Sequence, residues 1–178
     1  TWPHRLSVND HNPRPLEGRS IKVNFISPTK GSLDFEAMMA DVISYIRGLP
    51  NSSYKIIVGS DSMVKSDTCF ITAVIVHRLG KGARYFYRKK TQRKIKSLRQ
   101  KIFYETALSL EVGSLVHRYF ADNGFVDLNV EIHIDVGIQG ETKDLIREVV
   151  GMVTGSGFTA KIKPEAYGAS SVADKHTK

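Results

Sequence analysis

Four acidic residues draw attention by their positions. Asp61 follows an apolar run in Val58-Gly59-Ser60-Asp61-Ser62, and Asp135 ends another in Ile132-His133-Ile134-Asp135-Val136-Gly137. Glu105 sits inside a long helical pattern, and Asp174 lies in Ser171-Val172-Ala173-Asp174-Lys175-His176. Carboxylates gathered at one point repel each other, and a divalent cation resolves the repulsion. Mg²⁺ takes oxygen ligands and suits carboxylate sites that also hold substrate phosphates. Two such ions, about 4 Å apart, can activate a water and stabilise the leaving oxygen of an in-line displacement. The chemistry these residue types offer is metal-assisted cleavage of a phosphodiester, with Mg²⁺ or Mn²⁺ as the cation.

Each residue also has a plainer reading. Ser-Asp-Ser around Asp61 is ordinary turn chemistry, as is Asp67. Asp174, three residues after Ser171, matches a capping box in outline, which is compatible with a second role. Glu105 could pair with Lys101, four residues before it. Against that, Leu98 and Val112 lie seven residues to either side of Glu105, only about 20° off its direction. Ile102 and Val116 flank the same stripe, so Glu105 points along an apolar face, where a carboxylate needs a partner. Glu111 lies over Tyr104, Leu108 and Leu115 and is the rival candidate. His133 shares a strand face with Asp135 by the two-residue period. It could orient a carboxylate or help move a proton, or it could be a satisfied sheet histidine. His4, His11, His77 and His117 show no zinc-ligand spacing.

The elements that must position these residues follow from periodicity. Residues 1 to 20 have loop composition and form an N-terminal arm; residues 21–178 form one domain. Ile21 to Ile26 can form a short strand. Ser32 is a plausible N-cap for a helix from Leu33 to about Gly48, with Phe35, Met38, Met39, Val42, Ile43 and Ile46 at helical spacing. Strands follow at Tyr54 to Gly59, Cys69 to His77 and Ala83 to Arg88, with a turn-rich connection from Ser60 to Thr68. The tight Leu79-Gly80-Lys81-Gly82 turn makes them an antiparallel meander. Next come a helix from roughly Lys96 to Ala121, a strand at Leu128 to Val136, a helix at Glu141 to Val153, a strand at Phe158 to Lys163, and a last helix near Ser171. Three antiparallel strands followed by αβαβα predict an α/β fold with a mixed five-stranded sheet. Helices cover both faces, and one additional helix precedes the meander.

Charge points to the partner. The 178 residues carry 26 Lys and Arg against 18 Asp and Glu, a net charge of +8. That balance favours an anionic partner, most commonly nucleic acid. Nine of the basic residues fall between Arg84 and Lys101: Arg84, Arg88, Lys89, Lys90, Arg93, Lys94, Lys96, Arg99 and Lys101. Tyr85 and Tyr87 alternate with them. Such a run gives phosphate contacts without sequence reading, and an aromatic beside it could stack on a base. Its alternative is a solvated face. Arg84, Tyr87, Arg88, Lys89, Lys90, Arg93, Lys94 and Lys96 are the candidate nucleic-acid contacts. The lone Cys69 lies in an apolar run and suits a reducing cytoplasm. No stretch approaches 18 apolar residues, so no membrane span is expected. Gly137-Ile138-Gln139-Gly140-Glu141-Thr142-Lys143 lacks P-loop spacing, which disfavours an NTPase of that class. No feature of the chain specifies an oligomeric state.

In order, the segments Gly59-Ser60-Asp61-Ser62, Glu105-Thr106, His133-Ile134-Asp135-Val136-Gly137 and Val172-Ala173-Asp174-Lys175 resemble the bacterial YkuK-like family of predicted RNase H-like nucleases. The likeness covers about residues 50 to 178, together with the helix before them. It implies that Asp61 bridges two metal ions. By the same likeness, Asp135 and Glu105 hold the ion beside the leaving oxygen, and Asp174 holds the ion that activates water. Cleavage would leave a 5′-phosphate and a 3′-hydroxyl. His176 would be an auxiliary near product release. The chain departs from the pattern by stopping four residues after Asp174, which leaves the last helix about one turn. A nuclease acting on RNA, RNA-DNA hybrid or structured DNA is the leading expectation. A non-catalytic nucleic-acid-binding module with the same fold is the second, and a protein-interaction domain the third.

Overall fold

The computed structural model of the chain describes residues 23–166, and all that follows concerns those residues. The expected N-terminal arm and the last helix, with Asp174 and His176, lie outside them.

The chain opens with a hairpin, β1 (Asn24–Ser27) and β2 (Gly31–Asp34). Gly31 takes φ 75°, a left-handed conformation open to glycine at no steric cost, and the chain folds back there. The expected N-cap Ser32 is therefore inside a strand. Helix α1 (Phe35–Gly48) is capped instead by Asp34, whose Oδ1 accepts from the Ala37 N–H at 2.7 Å. Strands β3 (Tyr54–Val64), β4 (Asp67–Arg78) and β5 (Ala83–Arg93) form the antiparallel meander. They are longer than expected. The polar stretch from Ser60 to Thr68 is mostly ladder rather than loop, because Ser60 to Val64 pair with Thr68 to Thr72.

Helix α2 (Leu98–Asp122) is capped by the Ser97 side chain. After it come β6 (Val130–His133), a short 3₁₀ turn (Lys143–Leu145), α3 (Ile146–Gly155) and β7 (Thr159–Lys161). The sheet has seven strands in the order β2-β1-β5-β4-β3-β6-β7, against the five expected. The two added strands are the β1–β2 hairpin, which joins the edge of β5 by pairing Ile26 with Tyr87. The remaining five run antiparallel across β5-β4-β3 and parallel across β3-β6-β7, the predicted mixed architecture.

Strand alternation divides the apolar residues between two faces. Ile56, Val58, Val74, Val76 and Phe86 join the main core, to which α1 gives Met38 and Met39, α2 gives Val112 and Val116, and α3 gives Val149 and Val153. All three described helices thus pack on one face. On the other, Ile57, Ile71, Ala73, Ile75 and Tyr87 form a smaller buried cluster. Gly113 fixes how closely α2 lies on β6: a Cβ there would stand 2.8 Å from Ile132 Cδ1. No helix among the described residues is long and apolar enough to cross a membrane.

Candidate active site

Parallel register carries two of the predicted carboxylates to one edge of the sheet. Gly59 on β3 stands opposite His133 on β6. Two residues further along each chain are Asp61 and Asp135. Asp61 is itself in β3, paired with Ile71, so it is a strand residue and not the turn residue of the plainer reading. Its Oδ1 accepts from the Ser62 N–H at 2.8 Å.

Glu105 reaches the same edge from above the sheet. It is 5% exposed, among the most buried acidic side chains of the described chain. The apolar stripe of α2 dictates this direction, as the spacing of Leu98, Ile102 and Val112 required. Glu111 goes the other way: its side chain is 56% exposed and lies 3.6 Å from Arg88. No ion pair joins Glu105 to Lys101 among the described contacts. Instead the Ser62 hydroxyl donates to Glu105 Oε1 at 2.5 Å. Burial pushes the Glu105 carboxyl up to about 8, and the negative charges of Asp61 and Asp135 push the same way, against the Ser62 hydrogen bond and Lys101. At neutral pH the group holds a proton that an ordinary glutamate would have lost.

Buried hydroxyls pack beside the site. Ser109 on α2 donates to Ser60 at 2.9 Å, and Ser60 bonds Thr72 at the same distance. Ser60, Glu105, Thr106, Ser109, His133, Ile134 and Asp135 line one narrow crevice. His133 is buried there, and its Nε2 lies 3.1 Å from Glu131 Oε2. Burial holds its pKa below the usual histidine value, against the pull of Glu131.

One further participant carries no local sequence signal. Lys163 places Nζ 2.7 Å from Asp135 Oδ1. Asp135 holds the lysine above its ordinary pKa by that bond, with Asp61 and Glu105 adding to the effect.

Comparison with known proteins identifies the family. A family model described as ribonuclease H-like matches residues 37–178. A protein of Bacillus subtilis (strain 168), named "Uncharacterized protein YkuK", is 40% identical over 167 residues, covering 86% of this chain and 96% of the relative. The chain belongs to the ribonuclease H-like family. The match begins within α1, so the β1–β2 hairpin lies before the matched residues.

The donor set of this ribonuclease H-like edge suits a hard divalent cation in kind, being all oxygen, with one carboxyl kept protonated by burial and, beyond that, by its anionic neighbours. It is not drawn tight: among the described residues, no three His, Cys, Asp or Glu side chains stand together as a finished ligand group. Asp61, Glu105 and Asp135 would supply the ligands from described residues.

The basic run divides along β5. Lys89 pairs with Ile71, which pairs with Asp61, so Lys89 is two strands from that aspartate in one row of the sheet. Lys89, Lys90, Arg93, Lys94 and Lys96 are exposed. The other candidates are engaged within the protein. Tyr87 is buried in the second cluster, because strand alternation turns it inward. The Arg88 side chain is only 13% exposed and faces Glu111. Arg84 sits at the opposite end of β5, pairs with Asp41 at 2.8 Å and lies over the Tyr45 ring.

Proposed function

We propose that this chain is a Mg²⁺- or Mn²⁺-dependent nuclease acting on RNA, RNA-DNA hybrid or structured DNA. The observation that carries the reading is Glu105: a carboxyl buried at the sheet edge and driven to about 8 by burial and by Asp61 and Asp135. A buried acid facing two further acids has little structural use, whereas a site built to receive cationic charge needs this arrangement. Bound divalent ions would supply an activated water and charge for the leaving oxygen. Asp61, Glu105, Asp135 and, from the resemblance, Asp174 would hold them. For its part the protein would give up the Glu105 proton, orient that carboxylate through Ser62, and hold substrate phosphates on Lys89, Lys90 and Arg93.

The test is cleavage of labelled RNA, hybrid and branched DNA with Mg²⁺ or Mn²⁺ by the wild type, Asp61→Asn and Asp135→Asn. We expect metal-dependent cleavage that falls at least about 100-fold in both variants. Cleavage that persists in Asp61→Asn, or that ignores chelation, overturns the reading.

A second reading, a binding module that retains the fold without catalysis, is favoured by the loose spacing of the carboxylates and by the lysine on Asp135. Both readings share the basic row. Replacing Lys89, Lys90 and Arg93 together with alanine should weaken nucleic-acid binding and flatten its dependence on salt by about two to three counterions. Arg84→Ala, at the other end of β5, should leave that slope unchanged. Binding measured across a salt series checks both expectations.

A further inference from the structure

The ion pair between Lys163 and Asp135 is a product of the fold rather than of local sequence. β6 and β7 run parallel, with Glu131 opposite Thr159, Ile132 opposite Ala160 and His133 opposite Lys161. That offset, carried two residues on, brings Lys163 to Asp135. Two backbone bonds keep the chains together beyond the strands: Ile134 N–H to Lys161 O, and Lys163 N–H to Val136 O, both 2.9 Å. The lysine stem then runs beside Gly137, where an added Cβ would meet Lys163 Cβ at 3.4 Å. The parallel pairing therefore aims one ammonium at one of the three edge carboxylates.

This ammonium and a divalent ion need the same oxygens. Asp135 is the less exposed partner, at 27%, while the Lys163 side chain is 56% exposed. The aspartate is held by the fold, and the lysine has open solvent into which it can withdraw. We propose that Lys163 is a tethered competitor of the divalent cation. It neutralises the carboxylate edge in the metal-free protein, leaves Asp135 when an ion binds, and raises the ion concentration needed for occupancy. This rests on the metal-binding reading above. The gain for the protein is that a cluster of acids is never left without a counter-charge, and that occupancy responds to the concentration of divalent ion.

The test is a Mn²⁺ titration of the full chain, followed by thermal unfolding and by the electron paramagnetic resonance signal of free Mn²⁺. Lys163→Met removes the charge and keeps the stem against Gly137; Lys163→Arg keeps the charge. We expect Lys163→Met to fall to a lower metal-free Tm and to bind Mn²⁺ about tenfold more tightly than wild type, because one positive charge beside the ion is gone. Lys163→Arg should keep a midpoint within about threefold of wild type. Equal midpoints in wild type and Lys163→Met, with binding lost in Asp135→Asn, overturn the competitor role and leave the metal-binding reading intact. A higher midpoint in Lys163→Met also overturns it, by making the lysine an aid to the ion. Absence of saturable Mn²⁺ binding in wild type and both Lys163 variants overturns the proposal together with the reading beneath it.

Discussion

Two buried carboxylates in this chain have opposite surroundings. Asp41 on α1 and Glu105 on α2 are exposed to similar small extents, 7% and 5%. Asp41 accepts from Lys30 Nζ at 2.6 Å and from Arg84 Nη1 at 2.8 Å. Glu105 accepts one hydroxyl, from Ser62, and feels two anions, with Lys101 acting the other way. Arg84 pairs with Val76, and Val76 with Ile56, so the Asp41 cluster and Asp61 are five residues, about 17 Å, apart along β3. One end of the sheet is electrostatically closed. The other sets three carboxyls against the Lys163 ammonium on Asp135. Since burial is alike, it is the choice of neighbours that separates a structural acid from one poised to take a cation.

The largest test of this contrast removes the cations from Asp41. Lys30→Met with Arg84→Met leaves a buried carboxylate without a counter-charge. Breaking a buried pair in this way costs about 3–5 kcal/mol, and the partial exposure of both cations puts the expected loss near the lower figure. Urea unfolding measures it. A loss under about 1 kcal/mol would mean that Asp41 does not depend on its pairs, and the two ends would no longer differ in kind.

Next in size is the pH response of Glu105. Its pKa is raised on folding, so the folded state holds a proton that the unfolded state has already lost between about 4.5 and about 8. Stability from this group is fully present below the lower value and is lost as pH rises through the higher one. Each unit is about 1.4 kcal/mol, so the fall from pH 5 to pH 8 should be readily seen. Glu105→Gln, which cannot ionise, should lack this component. The difference in Tm between wild type and variant, without divalent ions, should therefore move toward the variant as pH rises. Parallel curves would mean that folding does not raise the Glu105 pKa.

The sequence disclosed the two ends unevenly, for physical reasons. Glu105 was legible because helical periodicity is local: the residues seven before and seven after it already define the face. The meander and the exposed part of the basic run were legible for the same reason. Ser60 to Thr68 misled because Ser, Asp and Lys favour turns locally, while cross-strand pairing overrides that preference. Tyr87 and Arg84 looked like surface residues, since alternation with charge shows the period but not which face is covered. The Lys163–Asp135 pair was hidden because it joins residues 28 positions apart through a parallel register, which no local pattern encodes. The hairpin at β1 and β2 was half seen: the strand at Ile21 to Ile26 was expected, but not the turn at Gly31 that doubles it.

The smallest effect concerns Ser62, the one hydroxyl bonded to Glu105. A donor to the ionised form lowers a carboxyl pKa, so Ser62 partly offsets burial and the two aspartates. Ser62→Ala should raise the Glu105 midpoint further, by under about one unit if the bond contributes about 1 kcal/mol. Ser62→Thr keeps the hydroxyl and should keep the midpoint. The measurement is the wild-type-minus-Glu105→Gln difference curve, repeated in each Ser62 background. An upward shift in Ala alone would mean that the hydroxyl tunes how readily Glu105 gives up its proton. An unchanged midpoint would leave burial and anionic repulsion as the whole cause. The contrast with Asp41 would then rest on the two aspartates and on the lack of a cation bonded directly to Glu105 among the described residues.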